Sequence, residues 1–148
     1  MTLDSLVNIN KFDIDHTYHR SILIIGPKNS GKSTISKHFI TQLANITSIV
    51  LDHQTNSNII STIIMNKQTN PHKLVLVMDE FTFPHMFEDS TMLDLYNNYR
   101  HYNISTIITF QSSFNIPPTV RHDSDIIILC ADSNITNQHK LYDQVSYV

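Results

Sequence analysis

A three-layer α/β fold around a parallel sheet is predicted by two features of the sequence. From residue 21 onward, short apolar β-branched runs alternate with longer stretches of helical periodicity, joined by short connections. The first such run, Ser21-Ile22-Leu23-Ile24-Ile25, leads straight into Gly26-Pro27-Lys28-Asn29-Ser30-Gly31-Lys32-Ser33-Thr34, which holds the only two glycines among 148 residues. Repeated strand, helix and strand units pack with right-handed crossovers and put helices on both faces of one sheet.

Residues 1–18 read as a polar arm with an edge strand near 7–12. The run at 21–25 is apolar without alternation, as a strand buried on both faces should be. The nine residues after it match G-x-x-x-x-G-K-[S/T], in which small residues let a loop wrap a triphosphate and turn its backbone N–H groups inward. Ile35, Phe39 and Leu43 recur every four residues behind it and predict a helix over 32–44. That helix presents its unpaired N–H groups and positive dipole end to the phosphates. Lys32 then reaches the β/γ-phosphates of ATP and Ser33 holds Mg²⁺. Gly26, Pro27, Asn29, Ser30, Gly31 and Thr34 complete the cradle.

Further strands are predicted at 47–52, 74–78, 104–110 and 125–130, with helices near 57–68 and 89–100. Asn56 or Ser57 can cap the helix near 57–68, whose stripe is Ile59, Ile60, Ile63 and Ile64, and Pro71 closes its loop. Asp89 or Ser90 can cap the next, with Met92, Leu95 or Tyr96, and Tyr99 facing inward. Pro117-Pro118 interrupts the path between the last two strands. Residues 131–148 form a polar tail with one helix near 135–142. No repeat or linker divides the chain, so 1–148 reads as one domain, long enough to bury roughly 70% of its unfolded surface.

A formal charge of −3 argues against a monomer that coats nucleic acid with a broad basic face, although a ring offering a few residues per subunit stays open. The single Cys130 ends an apolar run and reads as a small buried hydrophobe. His16 and His19, the closest pair of nine histidines, lack the further ligands of a zinc site. Met1 to Ser5 has neither a basic start nor an apolar core, and no segment approaches the ~20 apolar residues that span a bilayer. A soluble intracellular protein without a membrane partner is expected.

The second chemical signal is Leu74-Val75-Leu76-Val77-Met78 running into Asp79-Glu80. In an open parallel sheet, ligands bind beyond the carboxyl ends of the strands, the edge that also carries the phosphate loop. Asp79 can position Mg²⁺ and Glu80 can polarise the water that attacks the γ-phosphate. A dedicated water-activating carboxylate suits hydrolysis, whereas a kinase must exclude water. Gln111 follows the strand at 104–110 and can touch both γ-phosphate and water. Of three arginines, Arg20 precedes the first strand, at the edge away from the phosphates. Arg100 or Arg121 is left as an arginine supplied across a subunit interface, with Arg100 preferred.

Arg100-His101-Tyr102-Asn103-Ile104, then Thr109-Phe110-Gln111-Ser112, then Ile116-Pro117-Pro118-Thr119-Val120-Arg121 before Asp125-Ile126-Ile127-Ile128-Leu129 resemble the genome-packaging ATPases of poxviruses and other large DNA viruses, in the FtsK/HerA superfamily. The resemblance covers most of 21–130. It implies a RecA-like (ASCE) P-loop NTPase sheet of order 5-1-4-3-2, and catalytic roles for Lys32, Glu80, Gln111 and Arg100 or Arg121. It also implies a homo-oligomeric ring, a hexamer, that pulls double-stranded DNA into a capsid, with capsid or portal components as partners. The place of action would be the assembly site in the host cytoplasm, or the virion. Asp123 departs from the family, which often has Asn after the Pro-Pro-x-x-Arg segment, and the chain is short for it.

Two other classes compete with a DNA-translocating ATPase. A nucleoside or nucleotide kinase would need a basic lid, for which two arginines beyond the phosphate loop are few. A nucleotide-binding switch would use hydrolysis only to time a partner interaction. Contacts to DNA could come from the loop after Glu80, with Phe81, Phe83 and His85, or from 112–121.

Overall fold

The computed structural model describes residues 20–42, 47–51, 57–69, 72–78, 86–112 and 116–146. The arm at 1–18 with its strand near 7–12, His16 and His19, and the expected positions of Leu43, Asp52, Asn56 and Pro71 lie outside them.

Among the described residues five strands form one parallel sheet: β1 (Ser21–Ile25), β2 (Thr47–Leu51), β3 (Leu74–Met78), β4 (Ile104–Phe110) and β5 (Ile126–Leu129). Their spatial order is β2-β3-β4-β1-β5, the expected 5-1-4-3-2 read from the other side. Register is set by pairs such as Ile25 with Phe110, Ile25 with Leu129, and Met78 with Ile108. β1, β3 and β4 are the inner strands, and their side chains are buried almost throughout.

Strand periodicity divides the core into two layers. On one face Leu23, Ile25, Leu76, Met78, Ile104 and Ile108 pack with α2 (Ser57–Thr69) and α3 (Ser90–Asn98). On the other face Ile22, Ile24, Val75, Val77 and Ile107 pack around Phe39 of α1 (Lys32–Gln42), with Cys130 buried among them as expected. Fully burying a side chain such as Phe39 contributes about 1.5–3 kcal/mol.

Local causes are visible at the helix ends. Asp89 caps α3 by accepting from the N–H groups of Thr91 and Met92, both at 3.0 Å. It also accepts from Ser57 Oγ at the start of α2, which ties the two helices together. The Ser57 bond, then those backbone donors, hold its carboxyl below the ordinary value. Met92, Leu95, Tyr96 and Tyr99 are all buried. In α2 the stripe is Ile60, Ile63 and Ile64, while Ile59 is exposed, because one face of a 3.6-residue helix holds only part of the expected set.

Two differences lie toward the C-terminus. Pro117-Pro118 starts a short helix, α4 (Pro118–Asp123), instead of only interrupting the path. Proline is tolerated in a first helical turn, where its missing N–H would have no partner. The helix expected at 135–142 extends over Ile135–Ser146 as α5. Asn134 caps it, accepting from Thr136 N–H at 3.0 Å, and Leu141 packs against the core. Among the described residues no helix is long and apolar enough to cross a membrane.

Candidate nucleotide site

The loop between β1 and α1 is held at both ends by the sheet and by itself. Gly26 N–H donates to Phe110 O at 3.0 Å and Ser30 N–H to Pro27 O at 3.2 Å. Asn29 and Gly31 have positive φ, 61° and 95°. At Gly31 that left-handed conformation suits glycine, and Asn is among the few other residues that adopt it readily. Gly26 is required by space: a Cβ there would stand 2.5 Å from Cys130 Cβ and 2.6 Å from Ser30 Oγ.

Residues Lys28 to Thr34 line a cleft of ≈ 410 Å³. Lys32 is 2% exposed, and its ammonium donates to Pro27 O at 2.8 Å, across the loop. Ser30 Oγ is buried without a hydrogen-bond partner among the described residues. Ser33 lies in the first turn of α1, where N–H groups have no intrahelical acceptor. A lysine, an unmet hydroxyl and a helix N-terminus around one small cleft fit a phosphate chain.

The sheet order brings Gln111 and the end of β3 to the same edge as the loop. β4 lies between β1 and β3, so Gln111, exposed at its end, stands between the phosphate loop and the end of β3. Asp79 and Glu80 lie outside the described residues; Met78 before them ends β3 level with Ile108. Phe81, Phe83 and His85 are also outside them, as are residues 113–115 of the second DNA-contact candidate. Sequence reasoning expected the helix near 135–142 but not its place beside the phosphate loop. A second cavity of ≈ 300 Å³ is lined by Gly26 to Lys28, Gln111 and Ser112, together with Asn137, Lys140 and Leu141 of α5. Leu141, the apolar residue that docks this polar helix, was the available signal.

Arg100 is placed elsewhere. It precedes β4, at the amino edge of the sheet, and pairs with Asp125 just before β5. Arg20 reaches the same carboxylate at 3.3 Å. The edge criterion therefore does not separate the two arginines: both lie away from the phosphate loop of their own chain. Arg121 is half-buried on α4.

Asp125 also accepts from Ser21 N–H at 2.8 Å and from Tyr99 OH at 2.8 Å. Burial alone would raise its pKa, but these donors and the guanidinium groups outweigh burial and hold the carboxyl below its ordinary value. Burial, then the bond to Asp125, pushes Tyr99 up to about 12. Beside it Tyr96 OH donates to Val120 O at 3.1 Å and lies 3.2 Å from Ser21 Oγ.

A family model described as AAA domain matches residues 18–116, from just before β1 to just before α4. The chain belongs to the AAA domain family. Uncharacterized protein 015R of Frog virus 3 (isolate Goorha) is 27% identical to this AAA domain over 150 residues, 82% of the chain and 47% of that protein. The chain thus spans about half the length of this curated relative. Among solved structures, the genome packaging NTPase B204 of Sulfolobus turreted icosahedral virus 2, in complex with ATP-gammaS, has a TM-score of 0.63 and 17% identity. The match covers 86% of this chain and 83% of that one. PCH-2 of C. elegans has a TM-score of 0.56 and 13% identity, over 92% and 41%. At these identities the likeness is one of fold, a P-loop nucleotide-binding fold with a parallel sheet.

Proposed function

We propose that this AAA domain hydrolyses ATP with Mg²⁺ to translocate double-stranded DNA, for packaging of a viral genome. The observation that carries the reading is the position of Gln111 at the end of β4, between the phosphate loop and the strand that runs into Asp79-Glu80. This is the edge where a parallel sheet binds ligands, and a nucleotide there has groups for grip, for water activation and for sensing. The fold likeness to a viral packaging NTPase and the identity with a Frog virus 3 protein support the packaging reading, while the finer FtsK/HerA assignment rests on the sequence resemblance.

Gly26, Pro27, Asn29, Ser30, Gly31, Lys32, Ser33 and Thr34 form the phosphate cradle in this reading. Ser33 and Asp79 would hold Mg²⁺, which when bound supplies neutralising charge on the phosphate oxygens. Glu80 orients the attacking water and takes its proton, and Gln111 contacts the γ-phosphate and that water. Arg100 or Arg121 completes the site of the next subunit in a ring, a hexamer by family resemblance. The ring would act on DNA with capsid or portal components, at the assembly site in the host cytoplasm or in the virion.

The deciding experiment is ATP hydrolysis with and without linear double-stranded DNA, with oligomeric state recorded in the same samples. Stimulation by DNA in a ring-sized species is the expected result. Hydrolysis indifferent to DNA supports a switch, and phosphate transfer to an added nucleoside supports a kinase.

Lys32→Ala tests the cradle itself. Loss of a charged hydrogen bond of about 1.5–3 kcal/mol should weaken ATP binding by roughly 10- to 10²-fold. Titration with a fluorescent ATP analogue measures it, and unchanged affinity removes Lys32 from the site.

A further inference from the structure

The cluster at the amino edge of the sheet has no part in gripping the chain's own nucleotide, yet it is closely built. Asp125, its side chain 12% exposed, receives a backbone N–H, a tyrosine hydroxyl and two guanidinium groups. Arg100 is engaged through Nη2, and its guanidinium carbon lies 5.5 Å from the centroid of the Tyr99 ring. That ring is itself fixed, because its hydroxyl donates to the other oxygen of the same carboxylate. Arg100 remains 57% exposed. A guanidinium carries five N–H donors, so one engaged nitrogen leaves others for a second anion. Together with Tyr96, His122 and Ser124, these residues line an open cleft of ≈ 440 Å³.

We propose that Asp125 is the positioning residue for Arg100, holding its guanidinium against Tyr99 so that the remaining N–H groups meet the γ-phosphate bound by the neighbouring subunit. The inference rests on reading Arg100 as the arginine supplied in trans. A long exposed side chain loses rotamer freedom when it binds, and a side chain already held against a ring and a carboxylate loses less. Asp125 has a structural duty as well, joining β5 to β1 through Ser21 N–H. Asparagine separates the two duties: it keeps an oxygen that can accept from Ser21 and loses the charge that holds Arg100.

The test is turnover of full-length Asp125→Asn, with ATP affinity and Tm measured alongside. We expect turnover to fall by about 10²-fold, the scale of a misplaced catalytic group, with ATP affinity unchanged. Mixing with Lys32→Ala subunits, which lack a working phosphate loop but carry a held Arg100, should raise turnover at least about tenfold above either variant alone. A folding defect would not be rescued in this way. If Asp125→Asn does not fold, Tyr99→Phe carries the test, since it keeps the ring and loses the hydroxyl bond; a fall rescued by the same mixing is expected.

If Arg100→Ala retains full turnover, the trans-arginine reading fails and this inference with it. If Arg100→Ala is inactive while Asp125→Asn and Tyr99→Phe turn over normally, or are impaired but not rescued, only the positioning role is overturned.

Discussion

Glu80→Gln is expected to leave ATP binding intact and to lower hydrolysis by about 10²- to 10⁴-fold, the usual contribution of a positioned general base. Glutamine keeps the size and the carbonyl oxygen of the side chain but cannot take a proton from water. Binding should survive because the phosphate grip comes from a different strand, through the loop after β1 with its buried Lys32. Strand β3, which precedes Asp79-Glu80 in the sequence, is buried over all five of its residues and ends at the ligand-binding edge. ATP titration and steady-state turnover on the same preparation test this. Near-normal turnover would remove Glu80 from the mechanism and reopen the switch reading.

Arg100→Ala should lower turnover by about 10³-fold or more in the assembled protein, at the scale of an arginine supplied in trans to a phosphoryl transition state. ATP affinity of the isolated subunit should not change, because Arg100 is at the amino edge of the sheet and the phosphate loop is at the carboxyl edge. Wild-type turnover per subunit should accordingly rise with protein concentration through the assembly range, and that of Arg100→Ala should not. An Arg100→Ala protein that hydrolyses ATP normally in a ring would shift the role to Arg121 or to Arg20.

Legibility differed from element to element. β1 was readable because four aliphatic residues in a row, Ile22 to Ile25, suit a strand covered on both faces. Asp89 was readable as one of two candidate caps, beside Ser90, because a short acceptor before an amphipathic run has one favourable use. The helix at Pro118–Asp123 was not, because two prolines signal a break and a helix start equally, and the choice depends on Val120 finding the core. Ile59 was over-read for a related reason: its neighbours' burial, not its own type, decides which residues of an isoleucine-rich helix face the sheet.

The sequence by itself determined the phosphate loop motif and the strand and helix alternation, and it carries Asp79-Glu80 directly after an apolar strand. Each of these is encoded within a dozen or so residues by backbone freedom, periodicity and side-chain chemistry. The tertiary structure decided what local patterns cannot carry. It places β4 between β1 and β3, which sets Gln111 between the phosphate loop and the end of β3. It brings Lys140 of a polar helix to the phosphate loop, and Arg20 and Arg100 onto one carboxylate at Asp125. Arg20 and Asp125 are 105 positions apart in the chain. Their meeting follows from parallel pairing of β1 with β5, a choice made by the whole sheet as it buries both of its faces.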